Sequence, residues 1–316
     1  MNEESNYVDG KIFSFTNELG VTLDKELEHF RVNFFKGFAF LPDMAIHFGS
    51  FNAINDFTRI TDQSVITDGI GFVFHNIFEG YSDGPKGTIE PPYVRIFPYA
   101  IRQTLHFKRN TNVTHVSVCI SAASLKNFLQ EEAEQFQFLF DSANNFLIEE
   151  LMTDGILRTV NDIVKTDVPD TMRSFYYRMK AMELLYHLFQ SLKKRGNFVG
   201  QKLTMKEIES VYRVRDKIVS SLTSLCSIAE LKQIAGMNET KLRKIFTQVF
   251  GMGIYDYYQH LRTKEAARLL RDENLTVSEA GYRMGFENLG HFTKVFEKHI
   301  GKKPKKYVQS FNHRSE

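Results

Sequence analysis

Two runs near the C-terminal end of the chain repeat one arrangement of apolar and polar positions. In ETKLRKIFTQVF, Leu242, Ile245, Phe246, Val249 and Phe250 are spaced so that, at about 100° per residue, they form one apolar stripe. Thr240, Arg243, Lys244 and Thr247 fall on the opposite face. Ahead of them, Ser227 followed by Glu230 is a capping-box signature for a short helix, Gly236 ends that helix, and Asn238 caps the next. The pattern returns about fifty residues later. Thr276 and Glu279 give the second capping box and Gly285 the turn. Phe292, Val295, Phe296 and Ile300 form the stripe, opposite Gly290, Thr293, Lys294 and Glu297. Setting Phe292 on Leu242 puts Phe296 on Phe246 and Gly301 on Gly251. A short helix, a tight turn and a second helix with an apolar back and a polar, basic front have the make-up of a helix-turn-helix, and two copies form an internal repeat. Between them, the run from Ile254 to Arg271 lacks Pro and Gly and carries Ile254, Tyr258, Leu261, Ala266 and Leu269 at helical spacing, which predicts a single connecting helix.

The rest of the chain follows other periods. From Asn6 to about Ile120, short runs rich in Phe, Val, Ile and Tyr (MAIHFGSF, GIGFVFHNIF, YVRIFPYAIRQTLHF, VTHVSVCI) are punctuated by Gly, Pro, Asn and Asp, which predicts strands of a sandwich or barrel. Pro85 and Glu90-Pro91-Pro92 mark loops. Residues 1–200 hold 23 of the 29 Phe, enough to fill a β-core or to line an apolar pocket. After Ser121 the spacing turns helical in SLKNFLQEEAEQFQFLF, in NNFLIEELMTDGILRTVNDIV and in DTMRSFYYRMKAMELLYHLFQSLKK. The last carries Met172, Phe175, Met179, Met182, Tyr186, Phe189 and Leu192 along one side, expected to pack on its own domain, with pairing in a dimer as the alternative. The predicted fold is α+β. A regulatory domain over 1–196, a cupin-like barrel or sandwich with accessory helices, is followed by a linker over 197–204. An all-α domain over 205–316 opens on a Thr204/Glu207 cap.

Charge sharpens this division. Residues 201–316 hold 21 Lys and Arg against 13 Asp and Glu, a net +8, whereas residues 1–200 hold 19 against 25, a net −6. The basic half coincides with the repeated helix-turn-helix, which points to duplex DNA. No run approaches the length of a membrane span, and MNEESNYVDG is not a signal peptide, so a cytoplasmic protein is expected. Cys119 and Cys226 stand in no metal-binding spacing and are expected to be buried free thiols.

The last hundred residues resemble the DNA-binding domain of the AraC/XylS transcription regulators. The resemblance rests on A-G-M-N at 235–238, L-x-x-x-F at 242–246, Arg262, Ala266, G-F at 285–286, F-x-x-x-F at 292–296 and G-K-K-P-K-K-Y at 301–307. It implies base contacts from the exposed faces of both reader helices: Thr240, Arg243, Lys244 and Thr247 in the first, Asn288, His291, Thr293 and Lys294 in the second. It also implies promoter DNA and RNA polymerase as partners. The chain departs from the family pattern at Leu231-Lys232, at Ala280-Gly281 and at Val308. Gly281 alone costs its helix about 1 kcal/mol relative to Ala, which predicts a looser second unit. In FKRNTNVTHVSVCISAASLKNFL, MRSFYYRMKAMELLYHLFQSL and GMNETKLRKIF the chain resembles the pyochelin-regulator type of this family. That likeness implies a siderophore-like effector and identifies no pocket residue.

An enzyme is not expected. A metal-bearing barrel of cupin type needs imidazole and carboxylate ligands converging on one ion, and His29, His47, His75, His106 and His115 are dispersed in sequence. No P-loop, GxSxG or GxGxxG occurs in a strand-to-helix setting. No catalytic residue, metal or cofactor is assigned. The reading is a ligand-responsive, sequence-specific transcription regulator, an activator, working as a homodimer. The alternatives are a regulator controlled by a partner protein and an architectural DNA-bending protein.

Overall fold

The computed structural model describes residues 27–41, 43–60, 68–76, 92–101, 104–141, 146–195 and 203–312. The chain divides into two units, Met1–Leu203 and Thr204–Glu316. The loop positions Pro85, Glu90 and Pro91 and most of the expected linker lie outside the described residues.

The first unit is built on strands β1 (Phe30–Leu41), β2 (Met44–Ala53), β4 (Gly69–His75), β5 (Tyr93–Pro98), β7 (Asn112–Ser121) and β8 (Ile148–Leu151). They form one antiparallel sheet in the order β1-β2-β7-β4-β5-β8. Strands β3 (Phe57–Ile60) and β6 (Thr104–Phe107) pair separately. Among the described residues β1 and β8 remain edges, so the sheet is open where a barrel or sandwich was expected. Helices take the place of a second sheet. Ile46, Phe48, Phe72, Phe74, Val94, Ile96, Val116, Val118 and Ile120, which share one face by the two-residue strand period, join a core with α2 (Asp154–Lys165) and α3 (Arg173–Lys194).

Three helical expectations change. The run after Ser121 splits into α1 (Ala122–Leu129) and a 3-10 segment, Gln130–Leu139, because Gln130 has a positive φ. Ile148–Leu151, expected within a helix, is the edge strand β8, and the helix starts afresh where Thr153 caps α2. On α3 the buried side is Tyr177, Ala181, Leu184, Leu185, Leu188, Phe189 and Leu192, a closer fit to the helical repeat than the expected stripe. Phe189 and Leu192 are therefore buried, while Met172, Phe175, Met179 and Tyr186 are exposed. Glu149 and Glu150 point to opposite faces of β8. The first pairs with Arg95 at 2.9 Å and the second with Arg195, just past the end of α3, at 2.7 Å. Cys119 is buried as expected, but Cys226, in the second unit, is only half-buried.

In the second unit, Thr204 and Glu207 form a complete capping box on α4 (Met205–Val219). There follow α5 (Ile228–Ala235), α6 (Glu239–Phe250), α7 (Ile254–Asp272), α8 (Val277–Arg283), α9 (Leu289–Ile300) and α10 (Pro304–Asn312). At the start of α5 only half of the expected capping box forms. The Ser227 hydroxyl accepts from the Glu230 N–H, but the Glu230 carboxylate pairs with Lys217 at 3.0 Å instead of reaching back to the cap. Thr276 and Glu279 make theirs in full on α8. The stripe of α6 is buried at all five predicted positions, each worth about 1.5–3 kcal/mol on the transfer scale. The connector α7 is continuous over 19 residues.

Gly281 is no weak point. It is buried, and a Cβ there would stand 2.8 Å from a Leu289 methyl and 3.1 Å from the Phe292 ring, so its missing side chain lets α8 lie close against α9. The two turn glycines differ in kind. Gly236 (φ +64°) faces open space, whereas Gly285 (φ +72°) is pressed against the Thr223 carbonyl in the α4–α5 loop, inside contact distance for any added Cβ. Gly236→Ala is expected to cost about 1 kcal/mol for its left-handed backbone alone. Gly285→Ala is expected to cost about 2–4 kcal/mol, because it adds a collision with a backbone atom that cannot swing aside. Equal losses in thermal unfolding of the two variants would refute this account.

Candidate nucleic-acid interface

Each reader helix shows solvent the face opposite its stripe. On α6, Thr240, Arg243, Lys244 and Thr247 are all exposed. The helix starts on the Asn238 side chain, which accepts the Lys241 N–H at 2.9 Å, and ends on left-handed Gly251. Arg243 is not idle in isolation, since its Nε donates to Glu239 Oε1 at 2.8 Å one turn earlier. Lys241, which the stripe argument left aside, is also exposed and pairs with Glu207 at 2.7 Å. That pairing, with the capping bonds to Thr204, holds the Glu207 carboxyl down at about 2.

On α9 the four expected residues part ways. His291 and Lys294 are exposed on the first two turns. Asn288 is exposed, but its side-chain oxygen is the N-cap, accepting the His291 N–H at 3.0 Å. Thr293 is half-buried, and its hydroxyl donates to the Leu289 carbonyl at 2.9 Å. The repeat thus presents a full polar face on α6 and a thinner one on α9.

The residue that fixes the second reader is Arg262, 6% exposed on α7. Its Nε donates to the Met284 carbonyl at 2.8 Å, and its guanidinium lies 3.8 Å from the centroid of the Phe286 ring and 5.0 Å from that of Tyr258. One side chain of the connector thereby grips the carbonyl and the ring on either side of Gly285. A cavity of about 710 Å³ opens beside this grip, between the α4–α5 loop, the first turns of α7 and the start of α9. Tyr255, 53% exposed on its wall, lies off the apolar stripe of α7, and an exposed aromatic next to a stripe residue was the one sequence signal for it.

On the far side of α7, burial, together with Lys264 and His299, holds the His260 imidazole neutral, down to about 3, and among the described residues no hydrogen-bond partner meets its Nε2. His299, its ring 5.5 Å away, is lowered too, mainly by burial and then by Lys298. Among the described residues no cluster of His, Cys, Asp or Glu could hold a metal ion, and no helix is long and apolar enough to cross a membrane.

Two helix-turn-helix units carried on one connecting helix define a bipartite helix-turn-helix DNA-binding domain. Residues 231–310 match the family described as "Helix-turn-helix domain". The regulatory protein PchR of Pseudomonas aeruginosa is 36% identical over 106 residues, 33% of this chain and 36% of that protein. The HTH-type transcriptional activator RhaR of Yersinia pestis is 28% identical over 128 residues, 40% of this chain and 44% of that protein. A solved structure, a probable AraC family transcriptional regulator from Rhodopseudomonas palustris, is 27% identical with a TM-score of 0.30, covering 32% of this chain and 96% of that one. The C-terminal domain is thus an AraC-type helix-turn-helix domain, similar to those of PchR and RhaR. These matches span less than half the length of either relative, PchR or RhaR.

Acid is expected to loosen this domain. The unfolded chain protonates the His260 imidazole near 6.5 and the folded chain only near 3, so stabilisation present above pH 6.5 is lost as the pH falls from 6.5 toward 3. His299 acts with the same sign, and Glu207 adds to the loss only below about 4.5. Melting curves of the full chain and of His260→Gln between pH 7 and 5 should converge as the pH drops. Parallel curves would rule out this role for His260.

Proposed function

We propose that this protein is a transcription regulator, an activator, that binds promoter DNA through α6 and α9 and is gated by a small-molecule effector held by its N-terminal unit. The observation that carries the proposal is the repeat itself: two capped helices with apolar stripes turned inward, fully buried on α6 and half so on α9, and polar outer faces, fixed on one continuous connector. Nineteen residues at about 1.5 Å each give a connector of roughly 28 Å, of the order of the ~34 Å between successive major grooves on one side of the duplex. Arg243, Lys244, Thr240 and Thr247 are assigned to base and phosphate contacts in the first groove. His291 and Lys294 take that role in the second, with Asn288 and Thr293 placing them. RNA polymerase is the partner that activation requires.

The effector reading is supported by the sheet face turned away from α2 and α3. His47, His115 and His75 lie on neighbouring strands of that face, the first two with ring centroids 5.2 Å apart. Phe35 stacks near His47, Phe51 on His115 and Tyr93 on His75. Rings and imidazoles in place of aliphatic residues suit an aromatic, polar ligand of the siderophore-like kind. Control by a partner protein, or by a second copy of the chain, is favoured instead by the exposed Met172, Phe175, Met179 and Tyr186 on α3. A rise in melting temperature on titrating candidate effectors into the protein separates the two, because a ligand bound only by the folded state stabilises it by mass action.

Arg243→Ala is expected to weaken specific binding by about 1–3 kcal/mol without affecting folding. Glu239→Gln, which frees Arg243 and removes a negative charge from the face offered to DNA, should tighten it severalfold. Operator titrations in which the two variants move affinity in the same direction would overturn the assignment. Log affinity should also fall linearly with log salt, and footprinting should show one protomer protecting about two turns of DNA. Single-turn protection would remove α9 from the interface.

A further inference from the structure

Arg262 differs from the other buried arginines of this chain. Arg95 has Glu149, Arg195 has Glu150 and Arg215 has Asp216 within ion-pairing distance. Arg262 uses Nε on the Met284 carbonyl and Nη1, weakly at 3.5 Å, on Gln259 Oε1. Among the described residues it has no carboxylate partner, and its Nη2 makes no hydrogen bond. Arg262 is 94% buried as a residue yet lines the cavity, so an anion there would meet the uncommitted Nη2 in place of water. Burial accordingly pulls its pKa below the usual arginine value. The guanidinium lines the cavity described above, beside the rings of Tyr258, Tyr255 and Phe286. Lys294 and His291 stand on the rim, and Glu287 is the one carboxylate on the lining.

We infer that this cavity is a binding site for a small planar organic acid, its carboxylate on Arg262 and its ring among Tyr255, Tyr258 and Phe286. A carboxylate matches the paired N–H groups of a guanidinium, and a planar body matches aromatic walls. The cavity is open to solvent on one side, and its walls bring one guanidinium and three aromatic rings together. A duplex phosphate fits less well. It is carried on a stiff double helix that meets surface groups such as Lys294, whereas the Arg262 guanidinium is set back between two rings. An acid in this position abuts His291 and Lys294, so it competes with DNA for the second reader. This site lies wholly within the DNA-binding unit and is separate from the effector reading of the N-terminal unit.

The test is calorimetric titration of the full chain with benzoate, and with inorganic phosphate as an anion lacking the planar body. One benzoate site is expected, at least about tenfold tighter than phosphate, with occupancy weakening duplex binding at low salt. Arg262→Lys, which loses the fork of donors, and Tyr255→Ala, which removes an exposed wall, should each weaken benzoate about tenfold, whereas Tyr255→Phe, which keeps the ring and loses only the hydroxyl that accepts from Gln259 Nε2, should not. If Arg262→Lys fails to fold, Tyr255→Ala still decides. Absence of benzoate binding, phosphate binding as tight as benzoate, or benzoate binding unchanged in Tyr255→Ala would each overturn the proposal. The last two outcomes would point to a phosphate seat or to binding elsewhere.

Discussion

The bond from Arg262 Nε to the Met284 carbonyl, with the Phe286 ring laid against the same guanidinium, is the constraint on which the reading geometry rests. A helix-turn-helix is useful only if its second helix is held at a fixed angle, and the second unit has a short scaffold helix to hold it. The connector supplies the missing rigidity through one side chain. Gly285 completes the arrangement by letting the turn close on the Thr223 carbonyl, which ties the second helix-turn-helix to the loop ahead of the first helix-turn-helix. The two readers are therefore parts of one body. Their separation is set by the length of α7 and their tilt by the contacts at its middle.

The two halves of the repeat share a frame but not a surface. Both readers open on an asparagine cap and close on a left-handed glycine. Both bury a Leu/Phe or Phe/Phe pair one turn apart. On α6 the outward positions are free for contact, and the acidic Glu239 already organises Arg243. On α9 Asn288 and Thr293 are taken up by the helix itself, which leaves His291 and Lys294. In the proposed function, a stronger α6 and a weaker α9 in one domain would distribute specificity unevenly between adjacent grooves, with α6 setting the register.

Much of the second unit was legible in the sequence because its signals are local. Caps, a turn glycine and a 3.6-residue stripe lie within a dozen residues of one another, and each of the five predicted stripe positions of α6 is buried. What escaped was decided by contacts across the fold. The Glu230 capping box is half made because Lys217, on another helix, takes the carboxylate. Gly281 reads as a defect within its own helix, but Leu289 and Phe292 pack against it. In the first unit, Ile148-Glu149-Glu150-Leu151 carries helix-forming glutamates but forms a strand because β5 offers an edge and Arg95, and the end of α3 offers Arg195. The stripe on α3 was misplaced for a similar reason. Methionines and aromatics marked one side, while the sheet took the side with leucines and alanine, which pack more closely.

The paired glutamates of β8 have a consequence for how this sheet ends. β8 is an edge, where a foreign strand could add or the strand itself could slip along β5. Because Glu149 and Glu150 face opposite sides and each has its own buried arginine, a slip by one residue would exchange their faces and leave two carboxylates and two guanidinium groups mismatched at once. Register on this edge is thus all-or-none. At this edge, one of the two that the described residues leave, the sheet boundary is guarded against misalignment by charge.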